Sequence, residues 1–519
     1  MSIIKKESKE SDIMKKIMLI SLLTISVVAF LIGFIEISKE EEVENKSTIT
    51  YSISSFYNNL KEVGSLDIRI QDIICATSKG LVELDSSNNI IPALAEGVEI
   101  RDDGLEYDFK LKSDIYWSDG TAITPKDVMA FFREIITEEA EDNIEAVLNV
   151  YGAKKFREGY GDFSQDVGIS IGEDNIVFRL NSKDDKFIEE LTKPQYRVRK
   201  NVLLWENIKN SYDDLIYSGN YIIADISEDK LILKRNEKAD KSLSESITII
   251  LNEEEEIAMA SFEVGDRDLV INPPKSQLER LNNENKLITT DSNNGLYIIF
   301  NNNSDSLTIE DKKIIYSKLN NAMEKYQLEN TKFMELAEGS YFRQDKDDLL
   351  KMQSRKVMLN SSNEELKVKS LVIVAEALTE NKEICEYISN YFSENTEIDV
   401  SYKLLTEEEM NSIKNSNYYN IALIKGDITG MGNTEDYNKI VNLIPDEYGE
   451  KLIIAKNEGE RREIFKSIEE ELYNNYKILP LAFYNNNIAV NSKIKNIIFD
   501  GHGNIDYYKI GKWGCRTNN

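Results

Sequence analysis

Few side chains in this 519-residue chain are arranged for covalent or metal chemistry. The one histidine, His502, sits in Gly501-His502-Gly503-Asn504. A Ser-His-Asp triad would have to run through it, and no spacing supplies the nucleophile and acid such a triad needs. His502 is expected in a surface loop. Cys75, Cys385 and Cys515 have no CxxC spacing, which argues against a structural zinc site or a disulfide framework. Glu253–Glu256 put four carboxylates in a row. A metal is one use for them; the first turn of a helix, where the positive end of the macrodipole favours anions, is the commoner one. Asp119 lies in Ser118-Asp119-Gly120, a turn in which Asp bonds nearby backbone. No acid–base constellation results, so the chain reads as a non-enzyme without cofactor or metal.

The turn at Asp119 belongs to a closely specified corner, Tyr116–Ile135, YWSDGTAITPKDVMAFFREI. Thr124 reads as a helix N-cap, with Pro125 at the first helical position and Asp127 near the positive helix end. Val128, Phe131, Phe132, Ile135 and Ile136 then share one helical face. Upstream, Leu105, Tyr107, Phe109 and Leu111 alternate with Glu106, Asp108 and Lys110, as in a half-buried strand. The corner is expected to hold shape.

The length exceeds what one hydrophobic core organises and points to two or three domains. Lys and Arg total 63 against 92 Asp and Glu, a formal net charge of −29. That field repels nucleic acid and anionic lipid surfaces. Residues 1–16 precede an uncharged run, Ile17–Ile35, which at helical rise reaches about 28 Å, close to a bilayer core. Lys15 and Lys16 before it place the N-terminus in the cytoplasm and the bulk outside. The run has no A-x-A cleavage site and no neighbouring cysteine for a lipid. It is read as a single-pass transmembrane anchor in the cell membrane, the alternative being a signal segment whose cleavage leaves a secreted protein. Residues 36–47 form a charged linker.

Further on, Ile49–Phe56 reads as a first strand, and 167–171 with 175–180, then 220–226 with 230–235, as hairpins. Ser246–Leu251 is a strand, Glu253–Val264 a helix, and Pro273-Pro274 a break. A second block carries a strand at Tyr297–Phe300, a charged amphipathic helix at Ile309–Leu328, and a strand–helix–strand run over 366–404 spaced as a βαβ unit. Tyr418–Ile424 is a strand ending in a loop, Lys425–Glu435. Gly459–Tyr476 is a helix, and Leu479–Tyr484 and Ile488–Val490 are closing strands. Asn301-Asn302-Asn303 and Asn485-Asn486-Asn487 read as turns.

The segment GLVELDSSNNIIPALAEGVEIRDDGLEYDFKLKSDIYWSDGTAITPKDVMAFF resembles, nearly phrase by phrase, the dipeptide/oligopeptide-binding proteins of ABC importers, the extracellular solute-binding protein family 5. YGAKKFREG, VGISIGEDNIVFRL, SGNYIIADISEDKLILKRN, FEVGDRDLVI and ILPLAFYNN are similar to later family stretches, so the likeness covers nearly everything after residue 48. It implies an α/β, two-lobed periplasmic-binding-protein-like fold of type II, the large peptide-binding class. Lobe I would span 48–275 with 479–519 returning to it, and lobe II 276–478, with hinges near Pro273-Pro274 and Leu479-Pro480. It also implies a monomeric receptor that closes on a peptide or other small solute and delivers it to an ABC permease in the same membrane, with no nucleic acid. The corner at Tyr116–Ile135 is structural in that family.

Three positions depart from the family pattern. Lys79 stands where the family has the glutamate of its EGL motif. The helix run Asp311–Ala322 lacks the family's arginine. Lys425-Gly426-Asp427-Ile428-Thr429 replaces the loop carrying the acidic partner of a peptide amino terminus. The resemblance makes Lys79, Lys425, Asp427 and Thr429 the candidate ligand contacts, with Asp427 either replacing the acid or supporting a turn. The alternative function is a membrane-tethered sensor or scaffold that keeps the lobes and has lost standard peptide binding.

Overall fold

The computed structural model describes residues 48–85, 87, 89–301, 307–341, 343, 368–413, 416–427, 467–495, 497–507 and 510–512. The expected anchor at Ile17–Ile35, Cys515 and Thr429 lie outside them. Among the described residues no helix is long and apolar enough to cross a membrane.

The strands, in chain order, are β1 (Thr48–Ser52), β2 (Val82–Leu84), β3 (Ile90–Pro92), β4 (Ala95–Arg101), β5 (Glu106–Leu111), β6 (Ile169–Ile171), β7 (Asn175–Arg179), β8 (Tyr221–Ile226), β9 (Lys230–Arg235) and β10 (Ser246–Ile250). They continue with β11 (Leu269–Ile271), β12 (Leu287–Phe300), β13 (Met334–Leu336), β14 (Ser370–Glu376), β15 (Asp399–Leu405), β16 (Ile421–Asp427) and β17 (Ile478–Val490). Five helices matter below: α1 (Ile68–Thr77), α2 (Pro125–Glu138), α3 (Glu255–Val264), α4 (Ile309–Glu329) and α5 (Thr379–Asn395).

Three large cores organise these elements. In the first, a sheet of order β1-β10-β9-β8 packs with α1 and with Ile497, Phe499, Ile505 and Tyr507 near the C-terminal end. In the second, a sheet of order β4-β5-β7-β6 packs on the apolar face of α2. The third gathers α4 and α5 on a seven-stranded sheet, β11-β17-β12-β16-β14-β15, with β13 beside β17. The predicted βαβ unit is present there, β14 pairing parallel with β15.

The corner folds as its residues dictate. Thr124 and Asp127 form a reciprocal capping box, and the Asp119 carboxylate accepts from the Thr121 amide at 2.9 Å and hydroxyl at 2.6 Å, closing the turn. Phe131 and Phe132 are buried, Phe132 meeting Phe178 edge-on at 4.8 Å. The guanidinium of Arg199 joins the first two cores. It lies over the rings of Phe131 and Trp205 and donates to the carbonyls of Leu60 and Lys61. Burial pushes its pKa down to about 10.

Some expectations change. Asp108, on the polar face of its strand, is buried, because β5 lies between β4 and β7 and Arg101 and Asn175 cover the carboxylate. Tyr297–Phe300 is the end of a fourteen-residue strand, and the two closing strands are one, with Asn485-Asn486-Asn487 inside it rather than in a turn. Strand β16 runs to Asp427, so Lys425 and Asp427 lie on a strand and not in a loop. His502 is half-buried, not a surface residue. Its ring nitrogen bonds the Thr192 hydroxyl at 2.8 Å, and burial, with Lys193 and Arg197 near, pushes its pKa down to about 3.

His502 belongs to a polar network that binds the C-terminal segment to the first core. Asp72 accepts from the Ile505 amide and the Asn504 side chain and pairs with Arg69 at 3.3 Å. Arg197 pairs with Glu83 at 2.9 Å and Asp500 at 3.8 Å, and the Tyr51 and Tyr507 hydroxyls meet. Burial raises Asp72 to about 6 and Asp500 to about 7.

Two outcomes are expected. Phe131→Ala or Phe132→Ala loses about 3–5 kcal/mol of unfolding free energy in urea, through transfer and cavity terms; an unchanged midpoint at both sites contradicts the core. The second outcome concerns pH. Folded-state values of Asp72 and Asp500 lie above the unfolded one, so their contribution is complete below about pH 4 and is lost as pH rises through 6 and 7. His502, depressed when folded, acts oppositely, but only below about pH 6.5. Melting temperature therefore falls between about pH 4 and 7, with His502 opposing part of that fall below 6.5, and Asp500→Asn flattens it. A slope unchanged in the variant assigns it to other groups.

Candidate functional site

A small cleft of about 50 Å³ opens beside the first core, lined by Ser52, Ser54, Arg69, Glu253, Glu255 and Asn272 among others. Its first wall is built where β1 and β10 end. The Ile53 amide bonds the Ile250 carbonyl, and the Glu253 amide bonds the Ile53 carbonyl, which turns the chain from strand into α3. Glu253 is clamped by both ends of the Arg267 fork at 3.0 and 2.6 Å. Burial works to raise its carboxyl, but Arg267 prevails and holds it below the ordinary value. Asn272, at φ 49°, closes this wall by bonding the Asn487 backbone.

Near it stand α5 and β16, close enough for Glu380 and Lys425 to act on Glu255. Lys425 lies 3.6 Å from Glu380, in the first turn of α5, and 5.1 Å above the Tyr484 ring. Partial burial raises the Glu255 carboxyl, Glu256 and Glu380 raise it further, and Lys425 opposes them. Lys275 makes a second link, contacting Glu383 and bonding the Tyr326 hydroxyl at 2.9 Å. Glu253, Glu380 and Glu383 thus each have a cation beside them, while at Glu255 burial and like-charged neighbours outweigh Lys425. The arrangement suits a ligand that brings positive charge. Among the described residues no group of three or more His, Cys, Asp and Glu is placed to hold a metal.

The backbone of β16 adds a second feature. β14 flanks it only along Ile421–Leu423, while β12 continues beside it to Asp427. Lys425–Asp427 thus have β12 on one edge and, among the described residues, no strand on the other. Such an edge can pair with an extended chain.

Of the residues singled out in the sequence, Lys425 stands at the cleft and Asp427 lies two residues along the same strand, opposite Asn294. Lys79 is elsewhere. It bridges Val198, its amide donates to the Ser218 hydroxyl oxygen, and its lowered pKa comes from burial, with Glu83, Lys112, Arg197 and Asp114 as charged neighbours. Sequence reasoning missed Glu255 and Glu380 as neighbours. The run Glu253–Glu256 was visible, but nothing in spacing places it near a helix 125 positions further on.

Residues 89–333 match the family model described as bacterial extracellular solute-binding proteins, family 5 Middle. The dipeptide-binding protein of Lactococcus lactis is 28% identical over 112 residues, 22% of this chain and 20% of that protein, so the match spans about a fifth of that relative. The dipeptide-binding protein DppE of Bacillus subtilis is 22% identical over 85% of this chain and 86% of its own length. The structure of Haemophilus influenzae OppA in complex with RPPGFSPFR superposes with a TM-score of 0.63 at 16% identity, over 91% of this chain and all of that one, which shows the two-lobed α/β fold.

Proposed function

We propose, on the premise that this chain is a divergent relative of the family 5 extracellular solute-binding proteins, that it is an extracytoplasmic substrate-binding receptor for peptides, working with an ABC permease. The single observation that carries the reading is the half-open edge of β16 at the acidic cleft. An extended peptide lying along Lys425–Asp427 completes the ladder with its main chain, whatever its side chains. Its amino terminus brings positive charge to Glu255, Glu380 and Asp427.

Two lobes close around it. The first comprises the first and second cores with the returning C-terminal segment, the second the third core. We put the crossings at Asp291–Gly295 in β12 and Phe483–Ile488 in β17, a reading supported by the burial of Leu479 in the third core and of Ile488 in the first. Ligand shifts the open–closed balance by its differential affinity for the closed form. The segment Ile17–Ile35 tethers the receptor to the membrane beside its permease.

Calorimetric titration with a mixed peptide library, then with single hits, is the test. Binding is expected, and Asp427→Asn is expected to weaken it by about 2–5 kcal/mol, mostly from leaving the ligand ammonium unpaired. Unchanged affinity in that variant removes Asp427 from the site and leaves the amino terminus to Glu255 and Glu380. An intact fold that binds no peptide removes the receptor reading and favours a sensor or scaffold. For the tether, mass spectrometry of the membrane-extracted protein should find Ile17–Ile35 retained; a mature chain starting after Ile37 means cleavage.

A further inference from the structure

Strands β12 and β17 pair along most of their length, but the register shifts twice, by one residue between Leu296 and Tyr297 and more widely near the middle of the ladder. Asp291 stands opposite Asn485 and Gly295 opposite Phe483, so Ser292, Asn293 and Asn294 share Tyr484 as the only residue across from them. The break lies where the cores part. On one side Ile288 and Ile488 pack on the first core; on the other, Leu296, Tyr484 and Ala482 belong to the third. Gly295 is needed there, since a Cβ would sit within 2.4–2.6 Å of the Tyr297 ring and hydroxyl.

One side chain spans the break. Arg343 donates to the Tyr484 carbonyl at 3.0 Å and the Asn485 side chain at 2.5 Å on β17, and lies 3.5 Å from the Ser292 carbonyl and from the Asp291 carboxylate on β12. Its fork also engages Glu335 of β13 at 3.1 and 3.3 Å. Although it carries a full charge, its side chain is only 8% exposed. Tyr341, two residues earlier, is buried. Its hydroxyl donates to the Ile478 carbonyl, and its carbonyl accepts the Tyr297 hydroxyl, so the segment is fixed to both long strands.

We propose that Arg343 is the clasp of the hinge: a positioning residue that replaces the missing ladder bonds and sets how far β12 and β17 bend at the bulge, and so the open–closed balance of the empty receptor. A planar, five-donor fork can hold three strands at once; an ammonium cannot. The inference rests on the hinge-closure reading above, but its consequence is visible without ligand.

The test is the distance distribution between spin labels on Glu158→Cys and Glu394→Cys, exposed positions on the second and third cores, in a Cys515→Ser background. Cys75 and Cys385 are buried and take no label. With no ligand present, Arg343→Ala broadens the distribution and shifts its mean relative to the unmodified hinge, while Arg343→Lys does the same to a smaller degree. If Arg343→Ala does not fold, Arg343→Lys decides alone. A distribution unchanged in a folded Arg343→Lys variant, when the unmodified chain is broad, overturns the clasp and leaves the hinge. A single narrow distance in all of them overturns both. A narrow unmodified chain that broadens in either variant supports the clasp.

Discussion

The antiparallel pairing of β12 with β17 is the constraint to which the other contacts between the two ends of the molecule are subordinate. Thirteen residues of extended chain reach about 44 Å, long enough for one strand pair to serve as an element of two separate cores. Ile488 and Val490 pack beneath the sheet that contains β1, while Leu479 and Leu481 pack against α4 and α5. Seven consecutive residues of β17, Ile478–Tyr484, are buried, the mark of a strand covered on both faces. Between the apolar ends lie three asparagines. Their amides reach sideways to the Lys332 and Asp291 carbonyls, so the span between cores is held by hydrogen bonds instead of packing. Polar bonds tolerate reorientation better than an interlocked apolar layer, which is the physical ground for putting the proposed hinge here.

That same chemistry hid the strands from a reading of the sequence. Asp291-Ser292-Asn293-Asn294 and Asn485-Asn486-Asn487 have turn composition, and local preference says turn. Pairing between segments almost 200 positions apart overrides it. Where local rules act alone they succeed: Thr124, Pro125 and Asp127 define the start of α2, and the spacing of Val128, Phe131, Phe132, Ile135 and Ile136 gives the buried face residue for residue. At the cleft the sequence identified Lys425 by its departure from family pattern. It did not identify Glu255 and Glu380, because only the folded chain brings those carboxylates to one gap. Lys79 shows the converse, a position marked by resemblance that the fold places beside Glu83 and Arg197.

Electrostatics divides the molecule in a similar way. Carboxylates beneath the first core are enclosed and individually answered, Asp72 by Arg69 and amides, Glu83 by Arg197. Those at the cleft are partly solvated and lie near one another. Enclosed groups lock a conformation because an uncompensated buried charge is costly. Grouped carboxylates favour whatever cation enters between them.

The meeting of Tyr51 and Tyr507 has a consequence for how the protein is made. The two hydroxyls join positions 456 apart, and Ile505 and Tyr507 fill the same core as Ile49 and Tyr51. That core cannot close until nearly the whole chain has left the ribosome, whereas the second core, confined to residues 81–202, needs only a short local stretch. Closing so long a loop is slow, and the first strand, even after β10 emerges beside it, waits for Ile505 and Tyr507 before its core is filled.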